Sequence, residues 1–76
     1  MKLVMIDFGE KIMTVPARCI SHVVFDKEHD GIGFGVEGTK GAFCYEAKFR
    51  EYEKFLYFLE SAEDTGIYSI KKAIIA

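Results

Sequence analysis

Asp26-Lys27-Glu28-His29-Asp30-Gly31, closed by Glu37, places carboxylates at positions 1, 3, 5 and 12 of a loop with glycine at 6. That is the ligand spacing of an EF-hand, whose oxygens surround calcium. Position 8 should be apolar and is Gly33, and the flanks read as strands where an EF-hand has helices. An acidic hairpin turn ending in Asp-Gly accounts for the same letters. Cys19-Ile20-Ser21-His22, with His29 and Cys44, offers a second chemistry, a Cys2His2 zinc set. On a strand Cys19 and His22 point to opposite faces, unless Cys19 lies in a corner after Pro16. The plainer reading makes the cysteines small buried hydrophobes, His22 a strand residue and His29 an exposed turn residue. Neither a metal nor a cofactor is expected.

Gly33-Phe34-Gly35-Val36-Glu37-Gly38 spells G-x-G-x-x-G. In a dinucleotide site that turn opens a helix whose N-terminal amides hold the pyrophosphate. Here Thr39-Lys40-Gly41-Ala42-Phe43 leads into a strand instead. Glycine on the open face of a strand, approached by a backbone, a ring or a ligand, is the other reading. It supports a ligand hypothesis: amides of Gly31, Gly33, Gly35, Gly38 and Gly41 around a nucleotide or other small anion, with charge from Lys40, Arg18 or Arg50. Asp7-Phe8-Gly9 matches the kinase D-F-G, in a chain far too short for that fold. Ser21, His22 and Asp26 contain triad letters, but neighbours on a strand point apart. Tyr45, Glu46 and Glu51 could edge a pocket as in any domain, and no enzymatic activity is expected.

These residues must be positioned by one small domain, residues 1–76. Lys2–Phe8 alternates as a strand, and Gly9-Glu10 suits a type II′ hairpin that puts Ile6 opposite Met13 in a second strand, Lys11–Val15. Pro16–Cys19 is a corner, because Pro16 cannot donate to a ladder. Ile20–Asp26 is a third strand, with Ile20, His22 and Val24 sharing a face. Ile32–Glu37 sets Ile32, Phe34 and Val36 against two glycines, and Ala42–Ala47 forms a fifth strand. A helix runs from Phe49 to about residue 63, with Gly66 as a C′ residue; Glu63 and Asp64 oppose its dipole and favour an earlier fray. In Ile67–Ile75 the spacing of Ile67, Ile70 and Ile74 fits a helix, while the Ile content, the preceding Gly and the length favour a C-terminal strand. The fold class is α+β: an antiparallel meander of five or six strands with one helix on a face. Its expected core is Val4, Ile6, Phe8, Val24, Phe34, Tyr45, Leu56 and Leu59.

The helix carries apolar residues on too many sides. At about 100° per residue, Tyr52, Phe55, Leu56, Leu59 and Ala62 share one stripe, with Phe49 at its edge. Tyr57 points nearly opposite, and Phe58 projects from the far flank. A small domain has no second interior to hide them. Tyr57, Phe58 and the adjacent Lys54, with Ile74 and Ile75 near the terminus, are therefore the expected partner-binding residues. The expected function is a non-enzymatic interaction module that self-associates or docks on a larger protein. An acidic chain of this size suits a regulator or inhibitor, including one encoded by a virus or phage.

Composition narrows the classes further. Half the residues are hydrophobic, with seven Phe and four Tyr, which favours association. A net charge of −2 lacks the basic excess of a nucleic-acid binder. Two cysteines are too few for a secreted disulfide scaffold, and no apolar stretch approaches the roughly 20 residues of a membrane span. A cytoplasmic protein with reduced thiols is the expectation. The order Asp7-Phe8-Gly9-Glu10-Lys11-Ile12, Val15-Pro16, Ile20 and Val23, then a glycine-bounded strand and an aromatic helix, resembles short bacterial proteins of the flagellar FlbD type and many small phage-encoded proteins. The likeness is a strand–turn–strand–strand–helix pattern over residues 1–60. It carries no functional residue across.

Overall fold

Alternating apolar residues build β1 (Lys2–Asp7), and Gly9 returns the chain into β2 (Ile12–Pro16). Gly9 has φ +97° while Glu10 stays out of the left-handed region, the II′ pattern, and Ile6 faces Met13 as that turn dictates. Pro16 ends β2, and a 3-10 turn, Ala17–Cys19, swings the chain away. There follow β3 (Ile20–Asp26), β4 (Gly31–Val36), β5 (Phe43–Glu46), α1 (Phe49–Glu60), β6 (Gly66–Ile70) and β7 (Ile74–Ile75). This computed structural model describes residues 1–76.

The α+β class holds, with seven strands and one helix. The single antiparallel meander does not. The strands form two sheets, ordered β2-β1-β6 and β3-β4-β5-β7, and β6 lies parallel to β1. Two corners divide the sheets. One is the 3-10 turn. The other is Lys71–Ala73, where Lys72 adopts φ +55° and splits the expected C-terminal strand into β6 and β7. The Ala73 N–H donates to the Asp7 carbonyl (3.0 Å), pinning the second corner to the end of β1.

The core lies between the sheets and under the helix. Val4, Ile6, Ile32, Phe34, Phe55 and Ile70 are its largest sealed side chains. Phe55 reaches both sheets, with ring centroids 5.9 Å from Phe34 and 5.0 Å from Tyr68. Phe25, Phe49 and Tyr52 stack against one another at 5.3–5.6 Å and tie the first turns of α1 to β3. Of the expected core, Phe8, Tyr45 and Leu59 are half-buried against it and Leu56 is half-exposed, while Val24 faces outward. A β-bulge reverses Val24: Ser21 faces Gly35 but Val24 faces Gly33, so His22 and Val23 together oppose Phe34. His22 sits at φ 52°, and every later β3 side chain changes face.

The helix stops at Glu60, earlier than expected, and Ala62 is exposed beyond it. Gly66 is not its C′ residue; it opens β6 at φ +133°. Ser61 ends the helix in an extended conformation, its N–H bonded to the Tyr57 carbonyl (2.8 Å). The free carbonyls are met from β1. Lys2 Nζ donates to the Phe58 (2.6 Å) and Ser61 (2.9 Å) oxygens and stands 5.4 Å from the Phe58 ring centre. A cation at that end complements the helix dipole, which Glu63 and Asp64 oppose.

Candidate functional site: a glycine-floored groove

Sheet pairing turns the alternation of β4 into a surface. Ile32, Phe34 and Val36 are buried, so Gly31, Gly33 and Gly35 face outward. Register then sets their neighbours. Val24, Gly33, Cys44 and Ile74 form one row across the four strands, and Asp26, Gly31 and Glu46 form the next. With no side chain on the outer face of β4, these residues bound a groove of about 440 Å³. Val24 and Ile74 are 58% and 61% exposed, so the apolar row lies open to solvent. Asp30, His29 and Lys72 complete the rim.

The groove's charge is fixed locally. The β3–β4 connection is a hairpin turn between strands, without the flanking helices of an EF-hand, and Asp26 Oδ1 accepts the N–H groups of Glu28 (3.0 Å) and His29 (3.2 Å). The His29 ring bonds Asp26 Oδ2 at 3.0 Å, with Nδ1–H as the donor, and this bond above all holds the Asp26 carboxyl below its ordinary range. Asp30 pairs with Lys48 at 3.0 Å. Glu46 has no ion-pair partner. Three carboxylates, one of them paired with Lys48, thus share the rim with Lys72 around an apolar floor.

Of the expected anion-binding set, Gly33 and Gly35 belong to this face, but Gly31 and Gly33 lie within ladders on both sides, which engage their N–H groups. Gly38 and Gly41 are turn residues at φ +86° and +84°. Lys40, Arg18 and Arg50 do not line the groove; Arg18 instead edges a separate cleft with Lys2, Glu63 and Asp64. The rim that does surround the glycines is acidic. Cys19 and Cys44 are both free, and no three His, Cys, Asp or Glu side chains converge as metal ligands. Cys19, His22, His29 and Cys44 lie on the 3-10 turn, the bulge, a hairpin turn and β5 respectively.

The helix residues separate as well. Tyr57 is 75% exposed, and Lys54 is exposed near it. Phe58 turns inward instead, half-buried against Tyr68 at 5.5 Å. The reason is β6, which runs beside the far flank of α1 and gives that ring a wall. Ile74 lines the groove, and Ile75 pairs with Phe43 at the exposed end of β7. Of the groove residues, sequence reasoning singles out Asp26, Cys44 and Glu46 for separate chemistries and Val24 for the core, and it does not single out Lys72; nothing in the sequence brings them together. The glycine alternation pointed to their floor; only register places them around it.

Beneath the sheet lies a buried polar cluster. Tyr68 Oη donates to the Glu51 carbonyl (3.3 Å), while Tyr45 Oη and Glu51 Oε2 are buried without a protein partner. Burial pushes both phenols above their ordinary value of 10, with the Tyr68 and Glu51 charges adding at Tyr45 and Glu51 at Tyr68. A phenol raised in the folded state costs nothing below pH 10. Above it the unfolded chain ionises first, so stability falls as pH rises. Tyr45→Phe should therefore flatten the loss of stability above pH 10 and raise stability at neutral pH by about 1 kcal/mol, by removing an unsatisfied hydroxyl. Urea unfolding at neutral and alkaline pH measures both; a destabilised Tyr45→Phe chain would show that the hydroxyl supports the fold.

No family model, curated protein or solved structure matches this chain. No helix is long and apolar enough to cross a membrane.

Proposed function

We propose that this chain is a non-enzymatic binding module that docks a segment of another protein on the outer face of its four-stranded sheet. One observation carries the reading. Gly31, Gly33 and Gly35 have no positive φ, so the backbone does not require glycine there. A Cβ at Gly31 would meet nothing closer than the Tyr45 carbonyl at 3.5 Å, an ordinary contact, whereas one at Gly33 would press on the Val24 side chain at 3.3 Å and one at Gly35 on the Ser21 hydroxyl at 3.1 Å. Glycine weakens a strand interior relative to β-branched residues by up to about 1 kcal/mol each. Gly31, which has room for a methyl on the central strand, keeps the floor open between Asp26 and Glu46 at a cost in stability, which is the trade expected of a binding surface. Exposed apolar side chains beside that floor supply contact area, and polar groups rim it.

A random-peptide selection against the whole chain tests this, followed by mapping of each selected peptide through backbone amide shifts. Peptides that perturb Val24, Gly31, Gly33, Cys44 and Ile74 support the reading. Peptides that map elsewhere, or no enrichment at all, reject it.

Tyr57 favours a second reading, self-association through α1 with Lys54 at its side. The supporting observation is the Tyr57 ring itself, 75% exposed in mid-helix. Light scattering across a concentration series decides it: the dimer must appear, and must vanish in Tyr57→Ser.

A further inference from the structure

We infer that the groove's occupant is an arginine side chain on a basic segment of the partner protein, its stem lying over Gly33 and its guanidinium over Gly31. The inference rests on the docking role proposed above and adds the chemistry of what docks. Two adjacent rows of the sheet carry it. The Gly33 row is apolar, with Val24 on one side and Cys44 on the other. The Gly31 row is acidic, with Asp26 on one side of the empty glycine position and Glu46 on the other. Same-face rows on a strand are about 6.6–6.8 Å apart. That matches the span from arginine's methylene stem to its charged head, a side chain that lies on apolar surface while presenting its cation to polar groups. The two carboxylates belong to strands two places apart, about 9.5 Å between backbones, a slot wide enough for a planar fork to meet oxygens on both sides.

The protein's own cations leave the slot open. Lys48 is engaged by Asp30, and Lys71 lies 3.8 Å from Asp7. Lys72 edges the groove but forms no ion pair, and of the slot's two carboxylates only Asp26 has a partner, the His29 ring at 3.0 Å on Oδ2. Glu46 thus offers an unengaged carboxylate, and Asp26 is held in place by its turn bonds. The same rim repels an anionic ligand.

Acetyl- and amide-capped Ala-Ala-Xaa-Ala-Ala peptides, titrated into the labelled whole chain and read by amide shifts, provide the test. With Xaa as arginine, the amides of Val24, Gly31, Gly33 and Cys44 should shift, with an affinity about 10-fold above the norleucine peptide, which keeps the stem and lacks the charge. Asp26→Asn combined with Glu46→Gln should erase that preference; both replacements keep side-chain size, and Asn retains the turn-capping oxygen. Equal binding of norleucine and arginine would overturn the inference while leaving the docking surface standing. A preference for glutamate, or no groove shifts with arginine, would overturn it as well. Loss of the docking role itself is read separately, by selected peptides that map away from the groove.

Discussion

A Phe55→Ala chain should have no cooperative unfolding transition left at room temperature. Phe55 is fully sealed from solvent and is the helix residue that touches both sheets, through Phe34 and Tyr68. Truncating a buried phenylalanine costs about 3–5 kcal/mol, since the cavity adds to the lost transfer energy. A domain of this size holds only about 3–5 kcal/mol in all. Circular dichroism during a urea titration should show a broad, shallow loss of signal. Tyr57→Ala, altering an exposed ring on the same helix, should stay within about 0.5 kcal/mol of the parent. A sharp Phe55→Ala transition within about 1 kcal/mol of the parent would show that the sheets cohere without the helix.

Lys2→Met should lower stability by about 2 kcal/mol, most of what charged hydrogen bonds to otherwise free carbonyls contribute. The ammonium closes the C-terminal end of α1 onto β1, and its contact with the Phe58 ring is lost with it. Methionine preserves the stem's packing, so the change isolates the cation. For a chain this short the melting temperature should fall by about 10 °C. Amide exchange should rise first at the last turn of α1, where the unpaired carbonyls lie. An unchanged melting temperature would mean that solvent serves those carbonyls equally well.

What could be read from residues alone followed the range of the forces involved. The Gly9-Glu10 hairpin and its register came from turn chemistry among adjacent residues, and the structure reproduces Ile6 opposite Met13. The helix announced itself by its apolar stripe. Glu63 and Asp64, set against the negative end of its dipole, also signalled a stop short of residue 63, whereas the cation that completes that end sits on β1, near the other end of the chain. The division into two sheets depends on β1 pairing with β6, residues 2 and 66 being neighbours in space, and no local pattern encodes that. The candidate site divides the same way. Alternating glycines in β4 exposed its floor to inspection, whereas the walls required strand order and the parity change at His22. A single residue in the left-handed region moved Val24 from the expected core to the groove. Phe58 was misplaced for a related reason: the strand that shelters it joins through the same parallel pairing.

The central claim is that the open glycine row serves a partner and not the fold. A calorimetric titration of one groove-selected peptide into parent and Gly31→Ala chains tests it most directly, with the melting curve of each recorded alongside. The methyl should leave the fold intact and raise its stability by about 0.4–1 kcal/mol, through a less flexible unfolded chain. It should also weaken the peptide about 10-fold by filling the slot between Asp26 and Glu46. Unchanged affinity together with a lower melting temperature would contradict the account, because the glycine would then be needed by the sheet and ignored by the partner.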